Sequence, residues 1–222
     1  MDKLINQINK ADFNFITYLS PATNKIINKL KLYNYKTGQN EIATLTTNQK
    51  NYLNHLENNR LTINSKPRQV GESTLTIIHL LASFLTKNKN IIIITPNLTS
   101  SYEIIKKMRL MMYGTDLNIV KSNKGQIDFN GFVIKTTTNI DGLRGRKWDI
   151  IYISEADYIC DIISMYNRII LYINKPQIII TATSTENGIF QNLYAESMNG
   201  NSNFKPFKFN ITDNPKFNKD II

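Results

Sequence analysis

The stretch Leu61-Thr62-Ile63-Asn64-Ser65-Lys66-Pro67-Arg68-Gln69-Val70-Gly71-Glu72-Ser73-Thr74 decides the fold. Residues 61–64 read as a strand, and Ser73 opens a helical pattern that runs to residue 86. A loop that joins strand to helix, with a glycine just ahead of the helix, is where an anion meets free backbone N–H groups and the positive end of the helix dipole. The segment departs from the usual G-x-x-x-x-G-K-S/T phosphate loop. Its first glycine is missing, and Glu72 stands where a lysine would grip phosphate. A glutamate beside a triphosphate is repulsive, so another cation must serve. Lys66 and Arg68 at the loop entrance are the candidates, with the Ser73 hydroxyl offered to Mg²⁺. The plainer alternative is that Ser73 merely caps the helix.

Outward from this loop the chain alternates strand and helix. Further strands are expected at 91–95, 150–154 and 178–183, and helices at 73–86, 99–113, 162–171 and 189–198. Three of the four strands are unbroken β-branched runs, the pattern of strands buried on both faces, and the intervening helices are long enough to be crossovers. A parallel sheet follows. Residues 126–129 and 132–135 flank Asn130-Gly131, a pair suited to a type I′ turn, so a hairpin is expected to decorate the sheet. Upstream, Thr46-Thr47-Asn48-Gln49 has the form of a capping box, with Thr46 as N-cap, opening a helix through Tyr52, Leu53 and Leu56. From Leu4 to about Leu32 apolar residues recur at mostly helical spacing, broken near Pro21, which reads as two short helices.

With 222 residues and 41% hydrophobic side chains the chain can bury one sizeable core with a small helical annex. The excess of 27 Lys+Arg over 17 Asp+Glu favours polyanionic partners, although the crowding of Asn, Ile and Lys typical of an AT-rich genome supplies part of it. A single cysteine, Cys160, excludes an internal disulfide framework and suits a reducing compartment. Met1-Asp2-Lys3 opens no apolar signal region and no apolar run is long enough to span a bilayer, so a soluble cytosolic protein without membrane association is expected.

Read together with Ile150-Ile151-Tyr152-Ile153-Ser154-Glu155-Ala156 and Ile178-Ile179-Ile180-Thr181-Ala182-Thr183-Ser184, the loop resembles, in motif and order, the ATPase motor of viral large terminase subunits of the tailed-phage type. The resemblance implies an α/β, three-layer P-loop NTPase of the ASCE/RecA-like kind, with a mainly parallel central sheet, a decorating β-hairpin and an N-terminal helical annex. It divides the chain into an N-terminal helical segment at 1–45, an ATPase motor at 46–210, and at 211–222 the start of a linker toward a nuclease domain not in this chain. It further implies ATP and Mg²⁺ as cofactors, and hydrolysis that drives double-stranded DNA packaging into a procapsid. The implied partners are a portal protein, a terminase small subunit and other copies in a pentameric ring, in the host cytoplasm.

By this resemblance Lys66 is the leading lysine of a deviant Walker A loop and Arg68 its auxiliary, with Gln69, Val70, Gly71, Glu72, Ser73 and Thr74 completing the ATP-binding loop. The strand ending in Ser154-Glu155 resembles Walker B. Glu155 is then the residue that polarises attacking water, while the missing aspartate leaves Ser73, Ser154 and the phosphates to hold Mg²⁺. Asp157 matches no family position. Arg144, within Gly142-Leu143-Arg144-Gly145-Arg146-Lys147, resembles an arginine that acts across the ring on a neighbour's nucleotide; the alternative is a basic, glycine-rich loop facing DNA or solvent. Thr181, Ala182 and Thr183 match the coupling motif, though Ser184-Thr185-Glu186-Asn187-Gly188 lacks the family's proline. Gln49 resembles the glutamine that reads adenine, and the capping box accounts for it equally well.

Lys106, Lys107, Arg146 and Lys147 are candidate DNA contacts, as any surface cations would be. Two other readings stand beside the motor: a helicase-like P-loop ATPase, and a catalytically degenerate nucleotide- or DNA-binding module, for which Glu72 and Ser154 speak. The motor reading expects turnover to vanish in Lys66→Ala and Glu155→Gln and to survive Glu72→Ala.

Overall fold

The computed structural model describes residues 23–24, 27, 31–34, 39–42, 45–112, 121–159, 167, 175–183 and 189–213. Two strands, β1 (Lys31–Asn34) and β2 (Gln39–Ile42), pair antiparallel apart from the main sheet. The helical spacing read up to about Leu32 therefore ends earlier, in a strand that begins at Lys31; Thr23, Asn24 and Ile27 are helical. The rest of residues 1–44, Cys160, nearly all of the helix expected at 162–171, the loop 184–188 and residues 214–222 lie outside the described residues.

Thr46 caps helix α1 (Thr47–Asn58) as its sequence requires. Its hydroxyl accepts from Gln49 N at 3.3 Å while Gln49 Oε1 accepts from Thr46 N at 3.0 Å, so two otherwise orphaned donors are satisfied reciprocally. Then follow β3 (Leu61–Lys66), α2 (Glu72–Lys87), β4 (Ile91–Ile94), α3 (Leu98–Met112), β5 (Lys121–Asn123), β6 (Gln126–Phe129), β7 (Phe132–Thr137), β8 (Ile150–Ile153), β9 (Gln177–Thr183), α4 (Ile189–Met198) and β10 (Lys205–Lys208). The main sheet has the order β10-β3-β9-β8-β4-β7-β6-β5, parallel from β10 to β7 and antiparallel from β7 to β5.

Side chains alternate across a strand, so an all-isoleucine run loads both faces. Ile91, Ile93, Ile150, Tyr152 and Ile179 enter the core beneath α1, α2 and α3, with Leu53, Ile78 and Met108. Ile92, Ile94, Ile151, Ile153, Ile178 and Ile180 enter the opposite core with Trp148 and with Phe190 and Tyr194 of α4. The result is three layers, helix on sheet on helix. Each isoleucine so buried contributes roughly 1.5–3 kcal/mol relative to exposure.

Two features at the edges of the sheet add to expectation. Asn130 and Gly131 take φ of 49° and 81°, as a type I′ turn demands, and the expected hairpin forms at one end of the sheet. β7 pairs in parallel with β4 and buries Val133 on one face and Ile134 on the other, so it belongs to the sheet proper. The edge strand β10, Lys-Pro-Phe-Lys, carries no apolar alternation; Pro206 is tolerated there because only one side is paired. Phe207 and Phe209 nevertheless pack against Tyr52 of α1, with centroids 5.1 and 4.9 Å away. Among the described residues no helix is long and apolar enough to cross a membrane.

Candidate functional site

Six parallel strands bring their C-terminal ends to one edge, the usual place for a ligand in an open α/β sheet. β9 lies between β3 and β8, and its register sets Thr183 opposite Lys66. Residues more than a hundred positions apart therefore meet. Lys66 Nζ lies 3.0 Å from Glu155 Oε1, 3.0 Å from Ser73 Oγ and 3.1 Å from Glu72 Oε2. Thr183 Oγ1 donates to the other Glu155 oxygen at 3.1 Å. Burial alone would pull the Lys66 ammonium toward deprotonation; the Glu72 and Glu155 carboxylates outweigh it and hold the lysine well above its ordinary value, hence charged.

The loop owes its shape to Gly71. At φ +85° an L side chain is strained, and a Cβ would meet Gln49 Nε2 at 3.1 Å. No side chain caps α2, so the N–H groups of its first turn stay free for an anion. Gln69 (φ 64°) and Glu155 (φ 53°) also hold left-handed backbone without being glycine, a strain that gathers at functional sites. Val70 is buried and anchors the loop in the core, while Arg68 and Gln69 point outward, exposed. The Gln49 amide is occupied at both ends, by the Thr46 cap and by donation to Val70 O at 3.3 Å, so its geometry favours capping and loop support over base reading. Thr74 Oγ1 accepts a 2.6 Å hydrogen bond from Lys107.

Glu72 turns inward rather than into solvent, yet it meets two residues of the site, Lys66 and Ser73. Its carboxylate is fully buried under α2. Oε1 accepts from Tyr52 OH at 2.8 Å and Thr76 Oγ1 at 2.7 Å, and Oε2 meets Ser73 Oγ at 3.3 Å and the Lys66 ammonium. Burial first, then Glu72, pushes the Tyr52 phenol up, so it remains a neutral donor. An internal ion pair with Lys66 thus offsets part of the repulsion read from the sequence. The signal was partly present in the i, i+4 spacing of Glu72 and Thr76, but Tyr52 arrives from another helix.

Ser154 is buried and accepts from Tyr152 OH at 3.3 Å; the same phenol lies 3.2 Å from Thr181 Oγ1. Ala182 faces the opposite core and Thr181 meets Tyr152, so of the three residues matched to the coupling motif it is Thr183 that hydrogen-bonds Glu155. Arg144 is apart from this cluster. It is 78% exposed, pairs with Asp141 at 3.3 Å, and lines a cavity of ≈ 220 Å³ with Lys135, Arg146 and Trp148. Among the described residues no group of three or more His, Cys, Asp or Glu is gathered as for a metal. Lys107 is the site residue that sequence reasoning passed over, having grouped it with surface cations. Its spacing from Ile104 and Met111 on α3 sets it at the border of the buried face, and that was the available signal.

No protein-family profile matches the sequence. Among solved structures, a large terminase from a thermophilic bacteriophage superposes with a TM-score of 0.63 at 12% identity, over 81% of this chain and 49% of that one. The chain thus spans about half the length of that terminase, which has also been solved in complex with ATP-γ-S. The ATPase domain of the Thermus phage P74-26 large terminase matches with a TM-score of 0.55 at 15% identity, over 68% of this chain and 76% of that one. The UvsW helicase of bacteriophage T4 matches with 0.56 at 15%, over 84% of this chain and 66% of that one. At such identities the likeness speaks to the fold. This chain has the α/β P-loop NTPase fold that terminase and helicase motors share.

Proposed function

We propose that this chain is the ATP-hydrolysing motor of a large terminase, driving double-stranded viral DNA into a procapsid in the host cytoplasm. The observation that carries the reading is the bridge made by Lys66 between Ser73, in the first turn after the loop, and Glu155, at the end of β8. In this reading the free N–H groups of α2 and the Lys66 ammonium bind the triphosphate. Glu155, its far oxygen fixed by Thr183, orients the attacking water and accepts its proton. Thr183 ties that carboxylate to β9, so a change at Glu155 is felt in the sheet. Mg²⁺ would supply charge neutralisation at the phosphates. Ser73 and Ser154 are the residues that would hold it, a sparse donor set that suits a hard cation keeping most of its waters. The formal charge of +10 supports a DNA partner, and exposed Arg144 suits a neighbouring copy in a ring, of five by resemblance, on a portal with a small subunit.

The test is phosphate release from ATP with Mg²⁺ at high protein concentration, with and without duplex DNA. Turnover is expected in the wild type and a loss of at least ~100-fold in Lys66→Ala and Glu155→Gln. A wild type that neither binds nor hydrolyses ATP reduces the chain to a degenerate module. The comparable match to the T4 helicase favours a second reading, a helicase-like ATPase. It predicts strand separation, whereas the packaging motor hydrolyses ATP on duplex DNA without unwinding it.

A further inference from the structure

We propose that Lys107 is a second phosphate-binding cation of this site, supplying from α3 the charge that the loop loses to Glu72. The inference rests on the nucleotide-binding reading above. Lys66 Nζ donates to Ser73 Oγ at 3.0 Å and Lys107 Nζ to Thr74 Oγ1 at 2.6 Å, so consecutive residues of the first turn of α2 are each gripped by one ammonium. The two ammonium groups are not equivalent. Lys66 is shared by two carboxylates within 3.1 Å, whereas among the described residues no carboxylate comes within ion-pair distance of Lys107.

Lys107 is also half-buried. Its burial and, more weakly, the neighbouring Lys66 disfavour its charge, with Glu72 offsetting them in part. A partly desolvated ammonium with a hydroxyl as its protein partner is costly, and an anion at that turn reduces the cost. Charge counting points the same way. Lys66, Glu72 and Glu155 sum to −1, a poor receptor for a polyphosphate; Lys107 brings the cluster to neutrality. The adjacent Lys106 is exposed and makes no such approach.

The experiment measures ADP affinity by calorimetry for wild type, Lys107→Met, Lys107→Arg and Lys106→Met, with the melting temperature of each. Methionine keeps the aliphatic stem. Lys107→Met is expected to weaken ADP by about tenfold or more, one charge-assisted hydrogen bond's worth, at an unchanged melting temperature. Lys107→Arg should recover part of this and Lys106→Met should match wild type. If wild type binds ADP and Lys107→Met binds it equally, or if the variant weakens only a duplex oligonucleotide, the inference is overturned while the loop reading survives. If wild type binds no ADP, the loop reading itself fails. Should Lys107→Met not fold, amine acylation of the wild type decides: ADP is expected to protect Lys107 and leave Lys106 unchanged, and equal labelling with and without ADP refutes the assignment.

Discussion

At Lys66 one ammonium serves two carboxylates, and their surroundings assign them different work. Glu72 is sealed in the core with three hydroxyl donors, while the Glu155 side chain is 30% exposed and reaches the sheet edge. Removing the lysine should therefore do two separable things. Lys66→Met abolishes turnover and also strands Glu72 without its cation, at about 3–5 kcal/mol of stability. The double variant Lys66→Met with Glu72→Gln removes both buried charges, and urea denaturation should return most of that loss while turnover stays absent. A double variant no more stable than Lys66→Met would show that Glu72 carries no uncompensated charge. The same geometry reverses the expectation that Glu72→Ala is tolerated. Alanine deletes one of the two carboxylates that hold Lys66 and leaves the Tyr52 and Thr76 hydroxyls only each other, 2.9 Å apart, as partners, so both unfolding midpoint and turnover should fall.

Helix α1 supports the loop through Gln49, whose two amide ends reach the helix cap and Val70 O. Thr46→Ala should cost about 1 kcal/mol of stability and leave nucleotide affinity unchanged, whereas Gln49→Ala should cost a similar amount and also weaken ADP, because the loop loses its anchor. Equal ADP affinities in the two variants, read by calorimetry, would confine Gln49 to capping. Elements of this kind were legible in the sequence because their physics is local. The Ile91, Ile150 and Ile178 runs announce strands buried on both faces, and Thr46 with Gln49 announces a helix start. β10 and β5 were not legible, since Lys-Pro-Phe-Lys and Lys-Ser-Asn carry no period and owe their pairing to a neighbouring strand. The site divides the same way. Lys66, Ser73, Glu155 and Thr183 stand at strand ends or a helix start, where motif and topology agree. The inward turn of Glu72 and the arrival of Lys107 depend on how α1 and α3 pack against α2, which no local pattern encodes.

For the whole molecule, acid and assembly give two further expectations. The chain has two histidines, His55 and His79, and burial lowers both below the ordinary value of 6.5. Below about pH 6.5 the unfolded chain takes up protons that the folded chain refuses, so stability should fall as pH drops through that value, by up to about 1.4 kcal/mol per unit for fully buried His79. Thermal melts from pH 8 to pH 5 should slope downward, and His79→Asn should flatten the slope even if it lowers the pH 8 midpoint. Assembly concerns Arg144, which stands exposed and apart from its own chain's Lys66 and Glu155. If it completes a neighbour's site in the proposed ring, Arg144→Ala should abolish turnover without changing the melting temperature, since its pair with Asp141 is solvent-exposed. Arg144→Ala and Glu155→Gln, each inactive alone, should then regain activity when mixed. Where a Glu155→Gln chain presents its intact arginine to the intact glutamate of an Arg144→Ala chain, the interface is whole, and in an equal random mixture about one quarter of interfaces meet that condition. Recovery should rise with protein concentration as rings form. No recovery at any ratio, with both variants still binding nucleotide, would place Arg144 outside a shared site and leave its basic loop to face DNA or solvent.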